Sequence, residues 1–192
     1  MPLSEANERE LIHTRSLDIQ IFRRGDGLWD VEARLIDVKP FEYFMLDATR
    51  AANEPIHDMS LRLTIDADMR VRAVAAVMDQ GAHSICHRIA PAYDDLIGLQ
   101  IGPGWIRAAR QKVGGKAGCT HLTEMLGQMA TAAFQAMWSE REAAQVARTG
   151  RYEIDPSVID SCHTYRPDSV YVRDYFPEHY VPSGPASGTG GD

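Results

Sequence analysis

Histidines that lie close to acidic residues are the side chains of this sequence best suited to chemistry. His57 is followed directly by Asp58, and His121 lies three residues before Glu124. A carboxylate beside an imidazole can orient it as a general base, and residues three apart share one side of a helix. We therefore predict that His57 and Asp58 act together as a base and that His121 acts as the acid or binds an oxyanion. Glu124 is a further catalytic candidate, although a glutamate in a first helical turn also complements the helix dipole.

Other residues are candidates for the walls of the same site. Tyr93 is a further catalytic candidate. His83 is expected beside His57, because the start of one strand of a hairpin lies next to the end of the other. Cys119 lies at the start of the long helix but is also typical of a small buried residue at a tight turn, and His13 is expected at the surface. The candidates for substrate binding are His83, Trp105, Cys119, His163 and Tyr165.

Four stretches of alternating apolar and polar residues predict β-strands in the first half of the chain. They cover residues 17–21, 29–35, 59–65 and 71–77. Alternation with a period of two places one side of each strand on the core, and short turns between the strands predict an antiparallel meander with one covered face. In the last of these strands, the core face is expected to carry Val71, Ala73, Ala75 and Val77.

In the second half of the chain, the apolar period lengthens to that of a helix. Helices are predicted over residues 91–101, 105–113 and about 120–147, the last with a continuous apolar stripe. Strands followed by helices predict an α+β domain, in which an antiparallel meander of about four strands packs against a helical C-terminal half. We assign residues 1–181 to this single domain and expect the Gly/Ser-rich residues 182–192 to be disordered.

The composition indicates a globular protein without a nucleic-acid or membrane partner. The chain has 192 residues, of which 44% are hydrophobic and 24% charged, with a net charge of −7. Phosphate backbones require clustered lysine and arginine, and no apolar run approaches the roughly 20 residues of a membrane span. The N-terminus lacks the basic start and apolar core of a signal peptide. Because its three cysteines are too dispersed for a disulfide framework, we expect a reduced, cytoplasmic protein.

Motifs for nucleotide or phosphate cofactors are absent from the sequence. It has no Gly-x-Gly-x-x-Gly after a strand, no phosphate-binding loop and no Cys-x-x-Cys. We therefore expect catalysis by protein side chains without a cofactor. The alternative is a zinc or iron site, because histidine and aspartate supply nitrogen and oxygen ligands to these metals. Its ligands would be His57, Asp58, His83 and His121.

Three motifs resemble those of a bacterial family, the domain-of-unknown-function family 2889. They are Ile56-His57-Asp58-Met59, Ile101-Gly102-Pro103-Gly104-Trp105 and Gly118-Cys119-Thr120-His121-Leu122-Thr123-Glu124. The resemblance covers most of residues 12–139, together with the Cys162-His163 region. Such proteins are met in bacteria that degrade aromatic compounds. The resemblance therefore implies an aromatic substrate and leaves the reaction open.

A weaker, topological resemblance links the chain to the scaffold proteins that assemble iron–sulfur clusters. Pro55-Ile56-His57-Asp58-Met59 at a strand start and Gly81-Ala82-His83-Ser84 after the hairpin are similar to the layout that holds the cluster in those proteins. Asp58 matches their aspartate, whereas Ala82 stands where a ligand cysteine is expected. Of the cysteine ligands only Cys119 is present, so the resemblance implies a similar cavity without a bound cluster, which needs thiolates.

These observations favour a small enzyme that acts on an aromatic, lignin-type metabolite without a cofactor. A lyase is the preferred class, because retro-aldol or deformylating carbon–carbon cleavage, or an elimination, needs only a base, an acid and a group that stabilises an anion. Two alternatives remain open: a metal-binding hydrolase or carrier, and a non-catalytic module that binds a partner through its aromatic C-terminal residues. The methionine-rich long helix is a candidate surface for a homodimer.

Overall fold

The computed structural model describes residues 3–183 and has an α+β architecture. A four-stranded antiparallel sheet is followed by helices in the C-terminal half, as the change of period predicted. The chain divides between Met137 and Trp138 into two compact units, each with its own apolar core. Of the predicted disordered tail, residues 184–192 lie outside the described range.

The sheet is a meander with a small hairpin inserted at its centre. Its strands lie in the order β1-β2-β5-β6, and every neighbouring pair is antiparallel. The two-residue strands β3 and β4 form the inserted hairpin between β2 and β5. The strands are β1 (Thr14–Arg23), β2 (Trp29–Val38), β3 (Tyr43–Phe44), β4 (Thr49–Arg50), β5 (Pro55–Ile65) and β6 (Val71–Gln80).

Alternation places the apolar side chains of β2 and β5 on one face of the sheet, which is the core face. Val31, Ala33 and Leu35 of β2 are buried there, opposite Leu63, Leu61 and Met59 of β5, respectively. The first three predicted strands therefore have the expected core face.

The expected core face of β6 is wrong beyond its first residue. Val71 is buried, but the side chains that then pack on the core are those of Val74, Ala76 and Met78. The cause is a bulge, because Ile65 pairs with Val71 while the preceding Thr64 pairs with Ala73, which leaves one extra residue in β6. An extra residue reverses the alternation of all residues after it.

The second and third predicted helices are present as α1 and α2, whereas the first differs in its bounds and type. The predicted helix at 91–101 is a 3-10 helix over Cys86–Leu96, whereas α1 covers Trp105–Val113 and α2 covers Thr120–Thr149. The methionines of the α2 stripe, Met125, Met129 and Met137, are buried in the core of their own unit, so they do not form the dimer surface that they suggested.

Among the described residues, no helix has the length and apolar character that a membrane span requires.

The second unit contains three short helices: a 3-10 helix Pro156–Val158, α3 (Val170–Tyr175) and a 3-10 helix Pro177–His179. A further 3-10 helix, Gly115–Ala117, belongs to the first unit and lies between α1 and α2. The core of this unit consists of Ile154, Val158, Val172 and Phe176.

The start of α2 is held by hydrogen bonds to a buried tyrosine. The hydroxyl of Tyr93 lies 2.8 Å from the carbonyl oxygen of Cys119 and 2.7 Å from Oγ1 of Thr123, and it accepts the N–H of Cys119 at 3.1 Å. Gly118 packs so closely that a Cβ atom there would lie 1.9 Å from the carbonyl oxygen of Val113. These contacts determine where the first turn of α2, and therefore His121, is placed.

The close approach at Gly118 predicts that even the smallest side chain destabilises the fold. We expect Gly118→Ala to lower the free energy of unfolding by about 1–3 kcal/mol or more, because the backbone of Val113 must move. Gly25→Ala is the matched control, since no atom lies within 4 Å of its added Cβ, and its effect should stay within about 0.5 kcal/mol. Urea unfolding measures both values, and equal stability of the two variants would refute the proposed packing of the α2 start.

Candidate functional site

A row of polar residues crosses the core face of the sheet at one end. Arg15 of β1 pairs in register with Asp37 of β2, and Asp37 pairs in register with His57 of β5. The three residues are odd-numbered, like the apolar residues that precede or follow them on the same face. Alternation therefore brings a guanidinium, a carboxylate and an imidazole together next to the core.

Asp37 is the centre of this row. Its side chain is only 1% exposed, and both carboxylate oxygens accept hydrogen bonds. Arg15 donates from Nε to Oδ1 and from Nη2 to Oδ2, both at 2.8 Å. Nδ1 of His57 lies 2.9 Å from Oδ2, and Nε2 of His13 lies 3.2 Å from Oδ1. The bidentate pair with Arg15 and the bond to His57 satisfy a carboxylate that burial alone would destabilise.

These partners keep Asp37 ionised. Burial raises the pKa of the Asp37 carboxyl, but the hydrogen bonds from Arg15, His57 and His13 lower it more, and its pKa lies well below the ordinary 3.8. At neutral pH, Asp37 is thus an anion that accepts a hydrogen bond from Nδ1 of His57. That bond orients the imidazole and, in the neutral ring, leaves the lone pair on Nε2.

The first turn of α2 brings a second imidazole to the row. The ring centroids of His121 and His57 are 4.0 Å apart, with 38° between the ring planes. Nε2 of His121 lies 3.9 Å from Oδ2 of Asp37, and its Nδ1 lies 3.9 Å from Sγ of Cys119. His57 and His121 therefore lie in contact as predicted, with one ring supplied by the sheet and the other by α2.

The surroundings of His121 favour its neutral form. Burial, followed by the charges of His57 and Arg15, lowers the pKa of His121 below the ordinary 6.5, although Asp37 and Glu124 oppose this shift. A neutral imidazole retains one N–H, so His121 can donate a hydrogen bond to an oxyanion at neutral pH. Because the unfolded state binds the proton more strongly, the stability that this histidine contributes is complete above pH 6.5 and is lost as the pH falls through its folded-state pKa.

A cleft of about 550 Å³ includes His57 in its wall. The β3–β4 hairpin supplies much of the opposite wall, which the sequence pattern did not predict. His13, which was expected at the surface, also lines this cleft and is bonded to Asp37. The lining consists of four basic side chains (His13, Lys39, His57 and His83) and of Tyr43, Phe44, Met45, Leu46, Ile56 and Ala82.

The side chain of Asp58 does not lie beside that of His57. It lies on the opposite face of β5, because successive residues of a strand alternate. There it binds the guanidinium of Arg34 through bonds of 2.9 and 2.7 Å. The carboxylate partner of His57 is therefore Asp37, and the predicted pairing with Asp58 is corrected.

Three further candidates have roles in packing or at the surface. Tyr93 is fully buried and holds the start of α2. Trp105 is 3% exposed and donates its indole N–H to the carbonyl of Leu126 at 3.0 Å, which assigns it to the core and not to a substrate-binding wall. Glu124 is 57% exposed and lies 3.9 Å from Nη1 of Arg15.

The remaining candidates lie in two different places. His83 lines the cleft with His57, in agreement with the hairpin geometry, and its Nδ1 lies 3.1 Å from Oδ1 of Asp47. A hydrogen bond from the Ser84 N–H, followed by the bond to His83, lowers the pKa of Asp47 to about 2. In the second unit, His163 is exposed, and Tyr165 packs edge-on to the ring of Tyr171 at 5.7 Å.

Asp37 and Arg15 are the residues of the candidate site that the sequence reasoning missed. The signal was present in the alternation, because Asp37 follows Val31, Ala33 and Leu35 on the core face of β2. A charged residue at a core position is almost never buried without a partner, and Arg15 occupies the equivalent end of β1.

The contact between the two histidines predicts that His57 lowers the pKa of His121. We expect His57→Asn to raise the pKa of His121 towards 6.5, because it removes a neighbouring positive charge that disfavours the protonated ring. His83→Asn is the control and should leave the pKa of His121 unchanged, since His83 is bonded to Asp47. Titration of the imidazole resonances by NMR measures both, and an unchanged or lower pKa of His121 in His57→Asn would contradict this geometry.

Comparison with known proteins identifies the family but no characterised relative. No similar protein was found among curated sequences, and no similar chain among solved structures. The resemblance to iron–sulfur scaffold proteins therefore gains no support. A model of the family described as "Protein of unknown function (DUF2889)" matches residues 13–135, a range that contains Asp37, His57, His121 and the cleft. The chain belongs to the DUF2889 family.

Proposed function

We propose that this protein is an enzyme that acts on a small aromatic molecule by acid–base chemistry, with His57 as the general base. The observation that carries the proposal is the bond of 2.9 Å between Nδ1 of His57 and the buried Asp37, in a histidine that lines a cleft. A carboxylate that orients an imidazole in this way is a recurrent arrangement for proton transfer.

The cleft beside His57 suits an aromatic substrate. Tyr43 and Phe44 contribute rings, and Met45, Leu46 and Ile56 contribute apolar surface. A second cleft, of about 430 Å³, includes Arg34 and Arg62, which are already paired with Asp58 and Glu32. It contains no histidine. We therefore place the substrate in the first cleft, which agrees with the aromatic substrate that the family resemblance implies.

The reaction class that these residues fit best is that of a lyase acting on a lignin-type metabolite. In a retro-aldol cleavage, Nε2 of His57 removes the proton of a substrate hydroxyl group that lies β to a carbonyl, a new carbonyl forms at the hydroxyl carbon, and the electron pair of the broken carbon–carbon bond passes into the existing carbonyl as an enolate. The N–H of neutral His121 donates a hydrogen bond to the enolate oxygen, and the enolate carbon then takes the proton back from the His57 imidazolium. With a hydroxymethyl group the released aldehyde is formaldehyde. Asp37 stabilises the His57 imidazolium formed in the first step.

Matched aspartate variants test this assignment. Phenylpropanoids that carry a hydroxyl group β to a carbonyl, including those with a hydroxymethyl group next to the carbonyl, are incubated with the protein, and products and released formaldehyde are measured by mass spectrometry. We expect His57→Asn to lower kcat/KM by about 10²–10⁴-fold and Asp37→Asn to lower it by more than about tenfold, because the imidazole loses its orientation. Asp58→Asn changes a carboxylate on the other face and should cost less than about threefold.

The opposite ranking would contradict the proposal. If Asp58→Asn lost as much activity as Asp37→Asn, the partner of His57 would be misassigned. If His57→Asn kept full activity while folded by circular dichroism, His57 would not be the base.

A metal site is the second candidate function. Three possible ligand atoms, one each from Asp37, His57 and His121, lie within 4.8 Å of one another. Two imidazoles and one carboxylate can bind zinc or ferrous iron. The guanidinium of Arg15 argues against it, because it is bonded to both oxygens of Asp37 at 2.8 Å. A cation in this position must displace Arg15 or tolerate its positive charge.

Elemental analysis separates the two candidates. Under the acid–base proposal we expect the purified protein to contain much less than one equivalent of zinc or iron and to keep its activity after dialysis against a chelator. A stoichiometric metal that is lost in both His57→Asn and His121→Asn, but retained in His83→Asn, would replace the acid–base proposal with the metal site.

A further inference from the structure

The cleft beside His57 has no acidic residue in its lining, although the protein as a whole is acidic. The chain has a net charge of −7. None of the residues that line the cleft is an aspartate or glutamate, and its charged or chargeable side chains are Lys39 and three histidines. Carboxylates in a binding wall would repel an anion, whereas this lining lacks them and carries the ammonium group of Lys39, so it favours an anionic ligand over a cationic one.

Lys39 is held at this cleft by aromatic rings. Its Nζ lies 5.1 Å from the ring centroid of Tyr43 and 5.5 Å from that of Phe41. The backbone carbonyl of Lys39 accepts the N–H of Asn53 at 2.7 Å, which connects it to the residues after the β3–β4 hairpin. Among the described residues, no carboxylate forms an ion pair with Lys39. The ammonium group is therefore positioned by the aromatic rings but has no anionic partner within residues 3–183.

The apolar wall beside Lys39 is unusually exposed. Phe44 is 69% exposed and Leu46 is fully exposed, although both line the cleft. Large apolar side chains grouped at the rim of a cleft are typical of a surface that a ligand covers. The ligand therefore combines an apolar or aromatic body with a negative charge.

We propose that the cleft binds an aromatic carboxylate and that Lys39 is the residue that selects for its anionic group. A carboxylic acid is ionised at neutral pH, whereas a phenol, with a pKa of about 10, is neutral. The aromatic body packs against Tyr43 and Phe44, and the carboxylate accepts hydrogen bonds from the ammonium group. Lys39 follows Asp37 by two residues, so the anion lies near the row that contains His57. This inference rests on the proposed function, because it names the substrate class of the same site.

Binding to paired probes tests the inference without any need for turnover. Benzoate, phenylacetate and cinnamate are each compared with the corresponding primary amide, and dissociation constants for the full chain are measured by calorimetry or by ligand-observed NMR. For at least one pair, we expect the acid to bind about 10- to 100-fold more tightly than the amide, as a charge-assisted hydrogen bond provides. Equal binding of acid and amide in every pair, or no binding of any acid at millimolar concentration, would overturn the inference.

Lysine variants assign the selectivity to one side chain. Lys39→Met is expected to remove the preference for the acid, and Lys39→Arg to keep most of it. Lys112→Met is the matched control, because Lys112 is an exposed lysine of α1, and it should bind like the unaltered protein. A folded Lys39→Met variant that still prefers the acid would overturn the role of Lys39.

The inference and the proposed function fail in different ways. His57→Asn should lower kcat/KM by about 10²–10⁴-fold while preserving the preference for the acid in binding. If the preference depends on Lys39 but His57→Asn leaves turnover unchanged, the carboxylate site stands and the catalytic proposal fails. If turnover depends on His57 but acids and amides bind equally, the catalytic proposal stands and the carboxylate site fails.

Discussion

The burial of the Asp37 carboxylate is the constraint on which the candidate site depends. Removing a carboxylate from water costs several kcal/mol unless it is paired and hydrogen-bonded. The register of three strands meets this requirement, because it places Arg15 on one side of Asp37 and His57 on the other. A slip of one residue between β2 and β5 would leave the carboxylate without its imidazole and would expose the apolar face. The fold and the site therefore depend on the same register.

The second imidazole is positioned by a separate set of contacts. His121 belongs to a helix whose apolar stripe is buried in the core, and its first turn is located by the hydroxyl of Tyr93 and by the close packing of Gly118. Sheet and helix thus each contribute one ring to a pair with centroids 4.0 Å apart. Because neither ring is placed by a flexible loop, their separation is determined by core packing. Rigid placement of this kind is what proton transfer requires.

Much of the fold could be predicted from apolar periodicity, and the exceptions have local causes. One extra residue at the β6 bulge reversed the expected face after Val71, and such a bulge has no clear signature in the sequence. Strands of two residues, such as β3, are too short to show alternation, so the aromatic wall of the cleft could not be foreseen. For the site, the meeting of His57 and His121 was predicted, but adjacency in sequence favoured Asp58 over Asp37. The alternation rule itself excludes Asp58 and points to Asp37, which lies 20 residues away in sequence and directly opposite in register.

The most direct measurement for this account is the tautomer of His57, read from two-bond hydrogen–nitrogen correlations of its imidazole by NMR. The bond to Asp37 requires the proton of the neutral ring on Nδ1 and an unprotonated Nε2. We expect this tautomer in the unaltered protein and in Asp58→Asn, and a shift towards the other tautomer in Asp37→Asn. A neutral His57 that carries its proton on Nε2 in the unaltered protein would contradict the central claim that Asp37 orients His57 as a base.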